Sequence, residues 1–125
     1  MNGPHQKMRR LGVHFEPYDV VIVPFPFTDK LAVKRRPALI ISSHSFNDDR
    51  HNHLILAMIT TAKNSEWASD IQLHDWQSAN LTVPCKVRFK LFTLDKRLII
   101  QRLGSLSPTD QDSVKAAITH YLVNR

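Results

Sequence analysis

The 125-residue chain has little cysteine and little glycine, and each shortage excludes a class of protein. Its single cysteine, Cys85, allows no internal disulfide, so a reducing cytoplasm is the expected setting. The three glycines, Gly3, Gly12 and Gly104, are too scattered to build a glycine-rich phosphate loop of the P-loop or Rossmann type. The chain is therefore neither a small disulfide-stabilised protein nor a common nucleotide-binding enzyme.

Long apolar runs are also missing. No stretch approaches the about 20 apolar residues that a membrane-spanning helix needs, so no membrane partner is expected. Residues 1–17 are polar and basic and lack the apolar segment of a secretory signal, and we expect them to form a flexible arm. Residues 18–125 contain no linker and no repeat, and they are expected to form one domain.

The net charge of +6 is distributed unevenly along the chain. Residues 1–36 carry a net charge of +4 and residues 84–102 carry +5, whereas residues 37–83 carry −3. If folding brings the two basic blocks together, they form a groove that attracts nucleic acid or an acidic peptide. The alternative is that the charges are scattered and serve only solubility.

Short apolar runs that are typical of strands precede a single helix. Strands are expected at 20–23, 37–43, 54–60, 70–74 and 86–91, and residues 98–100 form either a strand or a helical turn. Ser107 is a suitable helix N-cap before Pro108, and apolar residues recur at helical spacing from Val114 to Leu122. This order predicts a mainly β barrel or sandwich with a C-terminal helix, and not a parallel sheet.

Residues 86–91 alternate between basic and apolar side chains. Such a strand is expected to bury its apolar face and to present three cations side by side. The apolar face consists of Val87, Phe89 and Leu91, and the basic face of Lys86, Arg88 and Lys90.

Two other candidate sites are weak. His51 and His53 have a spacing that could share a metal on a strand, but no cysteine or carboxylate with ligand spacing accompanies them, and no metal is expected. Cys85 lies next to the cation Lys86, which favours a thiolate, but a lone cysteine is more often a small buried hydrophobe.

The sharpest local feature is the basic run from Lys34 through Arg35 to Arg36, directly before Pro37. Proline restricts its own backbone and that of the preceding residue, so the Arg36 guanidinium is held on a fixed support. A guanidinium can grip a phosphate through two parallel hydrogen bonds and stabilise charge that develops on it. Thr60 ends another expected strand and offers a hydroxyl at the same edge if the two strands pair.

These segments resemble the MazF/PemK toxins of type II toxin–antitoxin systems. The matching segments lie at 18–29, 34–42, 56–60, 87–95 and 97–107, followed by the helix. The resemblance implies an SH3-like antiparallel barrel, the fold of the CcdB, MazF and PemK toxins, with a C-terminal helix. It also implies an endoribonuclease that cuts single-stranded RNA without a metal or another cofactor, leaving 2′,3′-cyclic phosphate and 5′-hydroxyl ends.

The resemblance assigns the catalytic positions to Arg36 and Thr60. Flanking phosphates would then be held by four other cations of the two basic blocks, Lys34, Arg35, Arg88 and Lys90. The general base stays open, because residues 86–91 contain no carboxylate, and Asp29 in the first loop is one speculative candidate.

Three partners are implied by the same resemblance: single-stranded RNA, a second copy of the chain in a homodimer, and a cognate antitoxin with an acidic tail. DNA binding is expected only of the complex with the antitoxin. The alternatives are a CcdB-like toxin that poisons gyrase without catalysis and an inert SH3-like binding module. Arg36 and Thr60 favour the ribonuclease, since a gyrase-binding protein needs neither.

Overall fold

A computed structural model describes residues 14–25 and 34–123 of the chain. The sheet consists of β1 (Asp19–Phe25), β2 (Lys34–Ile40), β3 (His53–Thr61), β4 (Ile71–Gln72), β5 (Cys85–Asp95) and β6 (Gln101–Ser105). The helices are the one-turn α1 (His44–Asn47) and α2 (Pro108–Ile118), which continues as a π-helical turn at Thr119–Val123. Short 3₁₀ turns occur at Trp76–Ala79 and Lys96–Leu98. No helix in the described ranges is long and apolar enough to cross a bilayer.

The six strands form one antiparallel sheet in the order β4-β5-β3-β2-β1-β6. The sheet curls into a half-barrel, and a helix follows it at the C-terminal end of the chain, which confirms the predicted fold class. The 3₁₀ turn at Trp76–Ala79, which follows the edge strand β4, contacts the other edge strand, β6. Directly after this turn, Asn80 Nδ2 donates to the Leu103 carbonyl at 2.6 Å. Gly104 allows this close approach, because a Cβ there would lie 3.2 Å from the Ala79 carbonyl oxygen.

Helix α2 starts where the capping residues predict. The Ser107 hydroxyl accepts from the Asp110 N–H, and Pro108 occupies the first turn. The buried Asp110 carboxylate then accepts from the N–H groups of His74 (2.9 Å) and Asp75 (2.8 Å). These bonds attach the helix to the segment that follows β4. Of the predicted apolar stripe, Val114 is fully buried, whereas the C-terminal members Tyr121 and Leu122 are exposed.

Apolar clusters cover both faces of the sheet. Leu39, Ala57 and Val87 belong to a cluster under α2, with Val114 from the helix itself. On the other face, a second cluster combines the alternate strand residues with Phe15, and its members are Phe15, Val21, Val23, Ala38, Ile40, Leu54, Leu56, Leu94 and Ile99. Coverage on both faces explains why β1 and β3 are uninterrupted apolar runs instead of alternating ones.

Phe15 corrects the expectation of a flexible arm over residues 1–17. Its side chain is buried, its carbonyl accepts from Asn47 Nδ2 at 3.0 Å, and the Arg102 guanidinium lies 5.3 Å from its ring centroid. At this position the expectation is wrong, because a large aromatic side chain gains more by packing against the sheet than by remaining in water. Residues 1–13 lie outside the described ranges.

Several element boundaries differ from the predictions. Strand β2 begins three residues before Pro37 and ends at Ile40, and residues 44–47, for which no element is predicted, form α1. Strand β6 follows a stretch predicted to be a strand or a helical turn, and its mixed composition gave no periodic signal. Pairing with β1 holds these residues in an extended conformation that the local sequence does not predict.

Candidate functional site: a cationic pocket across three strands

An open pocket of 270 Å³ lies where β2, β3 and β5 meet. It brings together four of the residues singled out from the sequence, namely Arg36, Thr60, Arg88 and Lys90. Its other lining residues are Phe25, Met58 and Ile59. The two distant basic blocks of the chain therefore contribute side chains to one cavity.

Pro37 explains why β2 and β3 separate at this point. The ladder between them runs from Ile40↔Leu56 to Ala38↔Met58 and is not continued to Pro37, which has no N–H to donate. Strand β2 continues to pair with β1 through Pro37, opposite Ile22. Extending the β2–β3 register by two residues sets Arg36 opposite Thr60, so the opening lies between these two side chains.

Arg36 is half-buried against the wall of the pocket. Its guanidinium carbon lies 5.1 Å from the centroid of the Phe25 ring, within the range of a cation–π interaction. Its Nε is buried and has no hydrogen-bond partner among the described residues. A buried donor without a partner is unfavourable, and an anion that enters the pocket would satisfy it.

The Thr60 hydroxyl is oriented by a neighbouring amide. Asn64 Nδ2 donates to Thr60 Oγ1 at 2.6 Å, so the hydroxyl hydrogen is available to donate elsewhere. The backbone carbonyl of Asn64 in turn accepts from Lys86 Nζ at 2.8 Å. Thr60 therefore depends on a chain of contacts that leads to a buried cation.

Lys86 and Arg88 share one buried carboxylate, that of Asp70. Lys86 Nζ lies 3.3 Å from Asp70 Oδ2, and Arg88 donates from Nε (3.0 Å) and Nη2 (2.8 Å) to the two carboxylate oxygens. The side chains of Lys86 and Asp70 are 1% and 7% exposed. Burial by itself raises the pKa of Asp70, but hydrogen bonds from Arg88, the Trp67 backbone and Lys86 outweigh it and leave that pKa below its ordinary value.

This arrangement corrects the expectation of three exposed cations on one face of residues 86–91. Lys86 is buried because Asp70, at the turn before β4, reaches it when β4 pairs with β5. Arg88 is mostly covered, and Lys90 is the exposed member of the three. Phe89 and Lys90 are inserted as a bulge between the pairs Met58↔Arg88 and Ala57↔Leu91. Leu91, expected on the buried face, is 41% exposed.

Of the predicted site residues that the structure describes, Lys34 and Arg35 do not line the pocket. Lys34 and Arg35 are exposed at the start of β2, where they pair with Phe25 and Pro24 of β1. Asp29 lies outside the described residues, so its predicted role as a base stays a prediction.

The other candidate sites show no catalytic arrangement. Cys85 is buried, burial raises the pKa of its thiol, and its Sγ donates to the Val83 carbonyl at 3.2 Å. His53 Nδ1 lies 2.6 Å from the carbonyl oxygen of His51. In the described ranges, no three histidine, cysteine or acidic side chains are grouped so that they could hold a metal ion.

Three residues that support the pocket were not foreseen: Asn64, Trp67 and Asp70. Asp70 is the first residue of the predicted strand at 70–74, and a carboxylate that opens a strand between two basic blocks is the signal that the sequence offers. Asn64 and Trp67 lie in a stretch without periodicity, from which nothing predicted a contact with the pocket.

A model of the PemK-like, MazF-like toxins of type II toxin–antitoxin systems matches residues 16–122, which is most of the chain. The chain belongs to this family. The match includes every described residue of the pocket and both strands that carry Arg36 and Thr60. No curated protein matches the sequence.

Solved structures of endoribonucleases and MazF toxins share the fold of this family member. An endoribonuclease bound to its cognate antitoxin from a mycobacterial species has 15% identity and a TM-score of 0.65, over 86% of this chain and 91% of the other. MazF in the MazE–MazF complex of Deinococcus radiodurans also has 15% identity and a TM-score of 0.65, over 90% and 98%. The toxin MazF-mt6 of Mycobacterium tuberculosis has 19% identity and a TM-score of 0.61, over 82% and 93%.

Proposed function

We propose that this MazF-like toxin is a metal-independent endoribonuclease that cleaves single-stranded RNA. The observation that carries the proposal is the pairing, in one cationic pocket, of a half-buried guanidinium whose Nε has no partner among the described residues with an oriented hydroxyl. Two of the solved structures with this fold are described as endoribonucleases. We also propose that the toxin acts in the cytoplasm, with messenger RNA as its substrate.

The proposed reaction is an internal transesterification. The 2′-hydroxyl of one nucleotide loses its proton and attacks the adjacent phosphorus, and the bond to the 5′-oxygen of the next nucleotide breaks. The products are a 2′,3′-cyclic phosphate and a 5′-hydroxyl, and the leaving oxygen takes up a proton. Negative charge accumulates on the non-bridging oxygens as the fifth bond to phosphorus forms.

Arg36 and Thr60 suit this charge distribution. The Arg36 guanidinium donates two N–H groups in one plane, which matches two phosphate oxygens. Thr60 donates its hydroxyl hydrogen to a non-bridging oxygen, since its lone pair already accepts from Asn64. Arg88 and Lys90, on β5, would hold the phosphate of a neighbouring nucleotide.

Cleavage of mixed RNA in the presence of EDTA tests the proposal. Purified protein is incubated with total RNA, and new 5′-hydroxyl ends are mapped. Arg36→Ala should lower the cleavage rate by about 10²–10³-fold, the usual effect of losing one donor to a developing oxyanion. Thr60→Val should also lower it, since Val has nearly the same volume but no hydroxyl.

Arg97→Ala is the matched control, because Arg97 is exposed and paired with Asp95, outside the pocket. It should cleave at the wild-type rate. Near-normal cleavage by Arg36→Ala would contradict the assignment of the site. Absence of cleavage by the wild-type protein would leave the two non-catalytic alternatives, gyrase binding and an inert module.

A homodimer is part of the proposal. Apolar side chains at Leu91, Tyr121 and Leu122 are exposed at β5 and at the end of the helical segment, where a second copy could cover them. A symmetric pair would also extend the cationic surface for several nucleotides. Light scattering at micromolar concentration should give about twice 14.4 kDa, and a monomer alone would count against the dimer.

The proposed regulator is an antitoxin with a disordered acidic tail. Its carboxylates would pair with the cations that bind RNA, so tail and RNA should compete for the pocket. Charge reversal at Lys90 should weaken both ligands together. A ternary complex with undiminished RNA binding would show that the two sites are separate.

A further inference from the structure

Trp67 is an aromatic residue beside the pocket that the proposed mechanism does not use. It is 42% exposed, and its ring centroid lies 4.9 Å from the guanidinium carbon of Arg88. Because Arg88 lines the pocket, the indole is adjacent to the pocket wall. A single exposed apolar residue is ordinary, but this one is held in a fixed position by the structure around it.

The loop that carries Trp67 is fastened by backbone and buried side-chain contacts. The Trp67 N–H donates to Asp70 Oδ2 at 3.0 Å, and the Asp70 N–H donates back to the Trp67 carbonyl at 3.0 Å. Arg88 Nη2 donates to the Ser65 carbonyl, and Lys86 Nζ donates to that of Asn64. The indole itself makes none of these bonds, so the loop should keep its shape when the side chain is changed.

The two sides of the pocket repeat one arrangement. On the β2 side, Arg36 lies against the Phe25 ring at 5.1 Å, and on the β5 side, Arg88 lies against the Trp67 ring at 4.9 Å. Thr60 lies on β3 between them. Strands β2 and β5, which carry Arg36 and Arg88, are separated by β3, so the two cation–aromatic pairs lie on opposite sides of Thr60.

We propose that Trp67, supported by Arg88, is a stacking platform for a base of single-stranded RNA that flanks the nucleotide whose phosphate binds Arg36. The inference rests on the proposed ribonuclease function and assigns that site a further nucleotide contact. Splayed bases of single strands stack on aromatic rings and on guanidinium planes, and tryptophan offers the largest ring. Every base has a π-face, so the platform holds the strand without strict choice of sequence.

The fluorescence of Trp67 reports this contact directly. The chain contains two tryptophans, and Trp76 packs against the buried cluster under α2. Trp76→Phe therefore leaves Trp67 as the emitting indole, and Trp67→Phe leaves Trp76 as the matched control. The probe is a 2′-O-methyl RNA decamer of randomised sequence, which lacks the attacking hydroxyl and is not cut. Saturable quenching is expected in Trp76→Phe and little change in Trp67→Phe.

Binding of the same probe measures how much the ring contributes. Trp67→Leu keeps apolar bulk over the Arg88 side chain but removes the ring, and it should bind about 5- to 150-fold more weakly. Trp67→Phe should retain most of the affinity. A second set of decamers carries the mapped cleavage sequence, each with one abasic position. The loss of affinity caused by Trp67→Leu should disappear for one member of this set, and its abasic position identifies the stacked base.

The outcomes separate this inference from the proposed function. RNA cleavage by the wild-type protein, together with unchanged affinity in Trp67→Leu and no quenching of Trp67, would overturn the platform and leave the ribonuclease intact. Quenching and weakened binding without any cleavage would support the platform and overturn the catalytic proposal. Thermal unfolding of Trp67→Leu near the wild-type temperature verifies that lost affinity is not lost structure.

Discussion

Replacing Asp70 by asparagine tests whether one carboxylate holds together the β5 side of the pocket. Asp70 and Lys86 are 7% and 1% exposed, and the carboxylate also accepts two hydrogen bonds from Arg88. Asparagine keeps the shape but leaves Lys86 buried without a counter-charge. Removing one partner of a buried pair lowers the free energy of unfolding by about 3–5 kcal/mol. That is a large part of the about 5–15 kcal/mol that stabilises a typical domain.

Asp95→Asn is the matched control for this substitution. Asp95 also pairs with an arginine, Arg97, but the two side chains are 21% and 54% exposed. A pair that is partly exposed to solvent contributes about 0–1 kcal/mol, so the control should be less destabilised. Urea unfolding followed by circular dichroism measures both variants. The double variant Asp70→Asn, Lys86→Met also removes the buried charge of Lys86, and it should recover most of the lost free energy of unfolding.

The pH dependence gives an independent check of the same carboxylate. In the folded protein the pKa of Asp70 lies below its ordinary value of about 3.9. The contribution of the Asp70 carboxylate to the free energy of unfolding is therefore complete above that ordinary value, and it is lost as the pH falls through the folded pKa. The stability difference between wild type and Asp70→Asn should be constant near neutral pH and shrink below about pH 4. Equal losses for Asp70→Asn and Asp95→Asn, or a difference independent of pH, would refute the reasoning.

Three further predictions concern the core, the cysteine and the orientation of Thr60. Phe15→Ala should lower the free energy of unfolding by about 3–5 kcal/mol in urea titrations, because a buried ring is removed; a negligible loss would contradict its place in the core. Burial raises the pKa of the Cys85 thiol, so iodoacetamide should modify it slowly until the protein is unfolded. Asn64→Ala should lower kcat for RNA cleavage with little change in KM, and an unchanged kcat would show that the Thr60 hydroxyl needs no orienting amide.

Much of the fold could be predicted from local sequence. The apolar runs of β1 and β3 and the capping pair Ser107 and Pro108 each identify their element, because composition and capping act within a few residues. Arg36 and Thr60 could be selected in the same way, from a proline that fixes a backbone and a strand that ends in a hydroxyl. The structure brings both into one pocket, while their catalytic roles stay predictions.

The sequence by itself determined the β class, the C-terminal helix and the residue types that meet in the pocket. Only the tertiary structure decided that Lys86 is buried, that Leu91 is exposed and that Phe15 belongs to the core. The reason is sequence separation: Asp70 reaches Lys86 and Arg88 only after β4 has paired with β5. Alternation along one strand predicts which face of the sheet a side chain lies on. Whether a charged side chain on that face is buried depends on a counter-charge from a segment that is distant in sequence.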